Sequence, residues 1–279
     1  MIGRGTGTRP VVGPVGSSLG AYWRLLAIGP LVDFAYRSRT YINVFRLATR
    51  IWLFYALWTA VYHPGQTVAG MGASQAVAYS VMGALQSWSR GRTADALATR
   101  VGDGSVLYLF LRPMPALRYY LVQRLGSLME GLAWLVLGTL VAWAVGLVEL
   151  PASVGLSAVY LGSVVLAGLV SHYLYLLLDL SSFWTIRNGG LTTCYAFLQQ
   201  LLGGAFIPIW FFPGWLRSLA LALPFQATAN IPLSLYVGRL PLDHAALALL
   251  EQLGWCIALA AVARGVWWFA ERRVTIQGG

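Results

Sequence analysis

Long apolar stretches, separated by short polar or Pro-containing segments, dominate the hydrophobic pattern of this chain. A helix crosses the bilayer core with roughly 20 apolar residues, so each stretch of about that length predicts one transmembrane helix. The predicted spans are approximately Ile42–Tyr62, Val68–Trp88, Tyr119–Leu147, Val154–Leu180, Leu191–Phe212 and Leu242–Ala263. The pattern therefore predicts an all-α polytopic membrane protein with six transmembrane helices.

Other parts of the chain depart from this pattern. Residues 1–20 are rich in Gly, Pro and Thr and predict a flexible N-terminal tail, which leaves residues 21–279 as a single transmembrane domain. Residues Ala21–Arg39 mix apolar and charged positions, as expected of an interfacial (elbow) helix. Pro213–Pro224 and Phe225–Leu240 are apolar but too short to cross, which predicts re-entrant or interfacial helices between the fifth and sixth spans. These short helices form either a cap over a translocation path or a simple lid on the fold.

Composition and charge agree with a membrane location. Of the 279 residues, 58% are hydrophobic and 10% are charged, against roughly a quarter charged in soluble domains. The net charge of +10 comes from Arg residues beside the apolar stretches. At these positions Arg residues orient a protein in the membrane and bind anionic lipid headgroups, so the charge does not predict nucleic-acid binding. With both termini inside, 17 of the 19 Arg residues are cytoplasmic or at the cytoplasmic interface, and only Arg217 and Arg239 are outside. We therefore predict a cell-membrane protein with cytoplasmic termini.

All 19 basic residues are Arg, and the chain contains no Lys. A P-loop needs a Lys to reach the β- and γ-phosphates, so the chain by itself is not a conventional ATPase. Schiff-base and Ser–Lys mechanisms are excluded for the same reason. The cysteines and histidines lack disulfide or metal-ligand spacing, so we expect no cofactor or metal on this chain. The G-x-S-x-G pattern at residues 16–20 lies in the tail, outside the strand-to-helix context that a nucleophile needs. The chain is predicted not to be an enzyme.

The loop from Ser89 to Arg124 contains six Arg residues and a short element of its own. Asp103 is a candidate N-cap, an amphipathic run follows it, and Pro113 and Pro115 end that run. A basic loop between spans is cytoplasmic by the positive-inside rule. We interpret the short element as a docking element held under the bilayer.

Ionisable groups inside membrane spans commonly mark functional sites. Those in the predicted spans are Glu130, His172, Asp179 and Glu251. They serve either a proton relay or structural and gating contacts between spans. Aromatic side chains near the end of the fifth span either line a path for a hydrophobic solute or form an interface belt. The candidate residues for gating or the translocation path are Glu130, Phe206, Trp210, Phe212, Pro224 and Glu251.

Small residues recur every four positions in two of the spans, and this spacing predicts close helix packing. They are Gly138, Ala142 and Gly146 in the third span and Ala76, Ser80 and Ala84 in the second. Each small face meets either a neighbouring span of the same chain or a second subunit.

Two blocks of residues give the chain a family resemblance. The first is Asp103-Gly104 followed by Leu109-Phe110-Leu111-Arg112-Pro113. The second runs from Phe183-Trp184-Thr185-Ile186 through Gly204-Ala205-Phe206-Ile207-Pro208, Phe212-Pro213-Gly214-Trp215-Leu216 and Leu223-Pro224-Phe225 to Ile231-Pro232 and Tyr236-Val237-Gly238. With these blocks and its order of elements, the chain from about Ala21 onward resembles the membrane subunit of an ABC-2 type transporter, specifically the small bacterial stand-alone permeases.

The resemblance implies two permease subunits, identical or homologous, each docked on a separate ABC ATPase subunit that binds ATP and Mg²⁺. It implies that the second loop is the coupling helix, with contacts to the ATPase from Asp103, Gly104, Leu109, Arg112 and Pro113. Importer permeases carry an acidic-Ala-Ala motif with a Gly four residues later, which Asp95-Ala96-Leu97 and Gly102 do not match, so export is favoured. The expected cargo is an amphipathic or hydrophobic solute. The alternatives are an ion-coupled secondary transporter, for which an inverted repeat is not found, and a membrane enzyme or scaffold.

Overall fold

The computed structural model describes residues 37–63, 66–89, 95–111, 115–151, 153–185 and 189–277. Within these ranges the chain is helical and contains no β-strand beyond an isolated bridge between Val68 and Met71. The α-helices are α1 (Arg37–Val61), α2 (Ala73–Ser89), α3 (Asp95–Gly102), α4 (Leu107–Phe110), α5 (Ala116–Ala144), α6 (Val154–Leu180), α7 (Gly189–Leu202), α8 (Gly214–Ala222), α9 (Asn230–Tyr236) and α10 (Leu242–Gln277). Short 3-10 turns lie at Ser181–Phe183, Ile209–Phe211 and Gln226–Thr228. The all-α prediction is confirmed, whereas the predicted tail and residues 21–36 of the predicted interfacial helix lie outside the described residues.

Among the described residues, four helices are long and apolar enough to cross a membrane. They are Tyr41–Val61, Ala116–Ala144, Val154–Phe183 and Leu242–Arg272. By contrast, α2 has 17 residues and α7 has 14, or about 26 and 21 Å of helix at 1.5 Å per residue. Both lengths are below the roughly 30 Å of the bilayer core. The predicted count of six spans therefore depends on α2 and α7 together with the non-helical residues that continue them.

Local signals set where the helices begin. The Oγ of Ser153 accepts the backbone N–H of Leu156 at 3.1 Å, which caps the start of α6 at its predicted position. α2 begins later than the predicted second span, because the backbone groups of Val68 and Met71 bond to each other across a tight turn. The described part of α1 extends from Arg37, so residues 37–39 of the predicted interfacial helix are continuous with α1.

The fifth and sixth predicted spans also differ from the structure at their C-terminal ends. α7 ends at Leu202, because Gly204 adopts a left-handed φ of +77° and Pro208 cannot donate a helical hydrogen bond. The chain then continues to Phe212 as irregular structure and a 3-10 turn, not as α-helix. In the opposite direction, α10 continues to Gln277, well past the predicted end of the last span.

α6 lies at the centre of the helix packing. It contacts α10, α9, α3 and α5, and 39% of its most apolar stretch is buried, against 6% for α1. α9 inserts among these helices: every residue of Asn230–Tyr236 is buried, and the helix packs against α6, α2 and α10. α1 packs along α2 and leaves most of its remaining surface exposed.

Glycines of α5 pack closely against α2, whereas Ser80 of α2 accepts a hydrogen bond from Trp58 of α1. A Cβ at Gly138 would lie 2.5 Å from Cδ2 of Leu85, and a Cβ at Gly131 would lie 1.9 Å from the carbonyl oxygen of Ser89. The predicted small residues Ala76, Ser80, Ala84 and Ala142 are buried, which confirms them as packing positions. Gly146 is an exception, since it lies past the end of α5 in a turn with φ +78° and open space around it.

The connections between helices gather at two ends of the bundle. At one, here called the α3 end, α3 packs against α6 and the turn Ser181–Phe183. At the opposite end, Nη1 of Arg239 donates to the carbonyl oxygen of Ala69 at 2.9 Å, and Oη of Tyr236 donates to that of Glu149 at 2.8 Å. These described connections separate as the sequence predicts, with loops assigned to one side of the membrane meeting at one end.

Candidate functional site

The first candidate region is residues 95–111, here called the docking segment, which forms α3, a turn and α4. α3 ends at Gly102, and Gly104 in the turn has φ +75°, a conformation that Gly adopts without strain. Oδ1 of Asp103 accepts the backbone N–H of Ser105 at 2.9 Å. Hydrogen bonds from the hydroxyl and the backbone N–H of Ser105 hold the pKa of Asp103 below its ordinary value. The carboxylate therefore stays ionised and fastens the turn.

This geometry corrects part of the predicted docking element. Asp103 does not cap a helix running to Pro113, because its hydrogen bond closes the turn two residues ahead. The helix that precedes it, α3, was not predicted, and the helix that follows is a single turn, Leu107–Phe110. The backbone of Leu109 belongs to that turn, while Arg112 and Pro113 lie outside the described residues.

Side chains of the docking segment divide into buried anchors and exposed apolar groups. Leu97 is fully buried and Val106 nearly so, in a cluster that includes Leu180 of α6 and Trp267 of α10. The exposed apolar side chains are Leu107 at 54%, Tyr108 at 68% and Leu111 at 80%. A group of exposed apolar side chains on an anchored segment is typical of a protein contact surface.

The second candidate region is a group of polar side chains around α9, here called the polar core, all of which are buried except the exposed Glu251. Its members are Tyr79, Gln86, Ser163, Gln226, Asn230, Glu251 and Gln252. Ser163 Oγ donates to Oε1 of Gln252 at 2.8 Å, and Nε2 of Gln252 donates to the carbonyl oxygens of Ser163 at 3.2 Å and Ala227 at 2.8 Å. Because Gln252 is fully buried, this one amide links α6, α10 and the turn before α9.

Gln226 and Asn230 extend the polar core to α10 on one side and to α2 on the other. Nε2 of Gln226 donates to the carboxylate of Glu251, and Nδ2 of Asn230 donates to Oε1 of Gln226 at 3.4 Å. Oη of Tyr79 donates to Oδ1 of Asn230 at 3.5 Å, and Nε2 of Gln86 donates to a backbone carbonyl of the same segment at 3.2 Å. Four separate parts of the chain are therefore joined by hydrogen bonds around α9.

The structure places two of the predicted path residues beside the polar core. Glu251 is a member of it, and the ring of Trp210 packs edge-on against Tyr79 with centroids 5.5 Å apart. Arg239 covers Trp210, with its Cζ 4.6 Å from the ring centroid. Phe206 faces α1, where its ring centroid is 5.1 Å from Cζ of Arg50. Trp210 and Phe206 therefore contact different helices.

The remaining predicted path residues lie elsewhere. Phe212 packs beside α8, against the small cluster that contains Ile209 and Ala220. Pro224 lies between α8 and the 3-10 turn Gln226–Thr228, and Glu130 is half-buried on α5. The predicted set therefore does not form one site.

The amides of the polar core were not predicted, because only ionisable and aromatic side chains of the spans were taken as candidates. An amide in an apolar span must find hydrogen-bond partners inside the protein. The presence of Gln86 and Gln252 in predicted spans could therefore have been used to predict buried polar contacts. Asn230 carries no such signal, because the burial of α9 depends on α2, α6 and α10, which are distant in sequence.

The titratable residues of the described ranges form no metal site. No group of three or more His, Cys, Asp or Glu side chains in those ranges could hold a metal ion. Glu130, Asp179 and Glu251 lie on three different helices, α5, α6 and α10. The contact from Gln226 to Glu251 supports a local structural role for that carboxylate.

Comparison with known proteins adds one family. A family model described as ABC-2 family transporter protein matches residues 49–278 of this chain. The matched range covers most of the chain and includes both the docking segment and the polar core. No curated protein and no solved structure matches the chain.

Proposed function

The chain belongs to the ABC-2 family of transporter proteins, and we propose that it is the permease subunit of an ATP-binding cassette exporter. In this proposal a separate ATPase subunit binds and hydrolyses ATP, since the chain has no Lys for a P-loop. Two permease subunits, identical or homologous, form the membrane part, with six spans each and cytoplasmic termini in the cell membrane. The unmatched importer motif supports export rather than uptake.

The observation that carries the proposal is the construction of the docking segment. Its buried anchors Leu97 and Val106 fix it to the helix bundle, while Leu107, Tyr108 and Leu111 project apolar surface outward. The loop is also the most Arg-rich of the sequence, which supports a cytoplasmic location. An anchored segment with an apolar outer surface is suited to binding a cytoplasmic ATPase subunit.

The same anchors supply a route from the ATPase to the membrane helices. The cluster around Leu97 includes the ends of α6 and α10, so a displacement of the docking segment acts on both helices. α6 and α10 are joined further along by Gln252 and Ser163, and both pack against α9. A shift of α6 relative to α10 must therefore rearrange the hydrogen bonds of the polar core, and we propose this rearrangement as the step that opens the path.

The proposed cargo is an amphipathic or hydrophobic solute. Support comes from aromatic side chains next to polar ones, as where Trp210 contacts Tyr79. In the proposal, α8 and α9 are the re-entrant helices of the sequence prediction. An ion-coupled secondary transporter is less well supported, because the described acids lie on separate helices and Glu251 accepts a hydrogen bond from Gln226.

Docking is tested with a charge placed in the exposed apolar group. Tyr108→Glu should reduce the amount of cognate ATPase retained on tagged permease at least about tenfold, since truncated or charged hot spots commonly cost that much. Val154→Glu is the matched control, because Val154 is 87% exposed at the first residue of α6, where a Glu suits the helix dipole. Equal retention by the two monodisperse variants would place the ATPase contact elsewhere.

The energy source is tested in vesicles that contain the purified chain with or without the ATPase. Efflux should require the ATPase and ATP hydrolysis, and an ATPase variant lacking its catalytic carboxylate should stop it. Glu251→Gln should change the rate of transport without changing this requirement. Transport driven by a proton or sodium gradient in vesicles without any ATPase would contradict the proposal.

A further inference from the structure

Arg50 lies near the middle of the candidate span of α1, Tyr41–Val61. Its charge therefore lies within the apolar, membrane-spanning length of the helix. The count of Arg residues in the sequence had instead assigned Arg50 to the cytoplasmic side or its interface. α1 contains no Asp or Glu, and within the part of the chain that the structure describes Arg50 forms no ion pair. A cation at this depth commonly marks a functional site.

The guanidinium of Arg50 has donors that nothing in the described residues accepts. Its Nε and Nη2 atoms are buried and have no hydrogen-bond partner there. A buried donor without an acceptor is unfavourable, and more so when it belongs to a charged group. Arg46, one turn earlier on the same helix, is exposed. The two Arg residues therefore differ in surroundings, and only at Arg50 is an acceptor needed to balance buried donors.

Aromatic rings surround this guanidinium. Cζ of Arg50 lies 5.5 Å from the ring centroid of Phe54 and 5.1 Å from that of Phe206. Phe206 in turn packs against Phe197 of α7, with centroids 6.2 Å apart. Phe197 is 56% exposed, so the aromatic wall reaches the outer surface of α7. A molecule with an apolar body can therefore contact this wall while its head group approaches Arg50.

We propose that Arg50, Phe54 and Phe206 form a binding site for an anionic amphiphile. The planar guanidinium would bind a carboxylate, phosphate or sulfonate group through two parallel hydrogen bonds, and the rings would contact the apolar part. The anion supplies the acceptor that the buried donors lack, and the apolar part stays among apolar side chains. Identifying this ligand with the exported molecule rests on the proposed function, whereas the binding itself does not.

Binding is tested on the full chain purified in dodecyl maltoside, with decyl phosphate as the free anionic amphiphile and decanol as its uncharged counterpart. Native mass spectrometry gives the affinity for each. The wild-type chain should bind decyl phosphate in preference to decanol. Arg50→Gln should weaken decyl phosphate binding at least about tenfold, because a charged hydrogen-bonding partner is lost. Arg46→Gln, which removes an equal charge one turn away, should change it less than about twofold.

Arg50→Lys provides a second variant that keeps the charge and removes the planar fork. It should retain a preference for decyl phosphate over decanol but bind it several-fold more weakly than the wild-type chain. If Arg50→Gln does not fold, the comparison of Arg50→Lys with Arg46→Lys decides the matter, and equal affinities in those two variants would overturn the site.

A competition experiment distinguishes a membrane lipid from a free amphiphile as the bound anion. Phosphatidylglycerol that competes with decyl phosphate for the Arg50-dependent site would assign a membrane lipid as its occupant, and absence of competition would assign a free amphiphile. Unchanged decyl phosphate affinity in Arg50→Gln, or loss of association between two copies of the chain instead, would overturn the proposal. The assay contains no ATPase and no ATP, so its failure is separate from a failure of ATP-driven export.

Discussion

At the scale of single residues, neutral amides hold α9 among its neighbours. Gln252 satisfies a hydroxyl and two carbonyl oxygens at once, in a part of the molecule that is closed to solvent. Polar backbone groups within a membrane-spanning domain need partners from the protein itself. The carbonyl oxygen of Ala227, next to α9 and outside a regular helix, receives its partner from this side chain.

Gln252→Met therefore has a predictable effect on stability. Met has a similar length and no amide, so the carbonyl of Ala227 and the hydroxyl of Ser163 both lose a partner. We expect the free energy of unfolding in micelles to fall by about 1–2 kcal/mol, measured by denaturant titration of the circular dichroism signal. Gln123→Met on α5 is the control, because Gln123 is exposed, and it should stay within about 0.5 kcal/mol of wild type. A matching loss in both variants would mean that the buried hydrogen bonds add no stability.

Residue roles were only partly predictable from the sequence. Glu251 and Trp210 were chosen for their charge and aromatic ring; Glu251 belongs to the polar core, and Trp210 packs against its Tyr79. Phe212 was chosen on the same criterion but packs beside α8. The difference arises because a side chain's type reports its chemistry, whereas its neighbours depend on turns such as the one at Gly204.

At the scale of helices, α2 and α5 approach so closely that there is no room for one added methyl group between them. Gly131→Ala would place its Cβ 1.9 Å from the carbonyl oxygen of Ser89, which forces the two backbones apart. We expect a loss of about 1–3 kcal/mol in the free energy of unfolding, typical of overpacking. Gly162→Ala on α6 is the matched control, since nothing lies within 4 Å of its added Cβ. Thermal unfolding of both purified variants measures the difference, and equal midpoints would contradict the close approach.

Helix identity was easier to predict than helix extent. The boundaries of α6 follow from an apolar run and the capping Ser153, both of which are local. The helix of the fifth predicted span is shorter than predicted, because residues 203–212 are apolar enough for a span but contain Gly204 and Pro208. α3 was missed because its eight residues are too short to show a clear pattern, and the contact of Leu97 with other helices stabilises it.

At the scale of the whole molecule, the two ends of the bundle predict which positions a reagent can reach. On a background without Cys194 and Cys256, a single cysteine at Glu149 should react with an impermeant thiol reagent in intact cells. A cysteine at Asp95, on the α3 end, should react only after permeabilisation. Glu149 is a suitable site because its contact with Tyr236 uses the backbone oxygen. Labelling at position 95 in intact cells would reverse the predicted orientation.

The general architecture was predictable because lipid imposes few solutions on an apolar chain. An all-α membrane protein follows from the length and composition of the apolar runs alone. The insertion of α9 between α2, α6 and α10 was not predictable, because it brings together segments from distant parts of the sequence. The predicted lid or cap between the last two spans did not anticipate that every residue of α9 is buried.

The position of α9 also bears on how the protein is made. Gln86 and Thr228 are joined by a hydrogen bond although 142 residues separate them. At about 5–20 residues per second, a ribosome needs roughly 7–28 s to supply the second partner after the first. Throughout that interval the nascent α2 is in place while the segment that satisfies its amide is still unsynthesised. The early helices must therefore remain incompletely packed until the last third of the chain has been synthesised. A polypeptide that ends before this segment exposes unsatisfied polar groups, and quality control can recognise it by them.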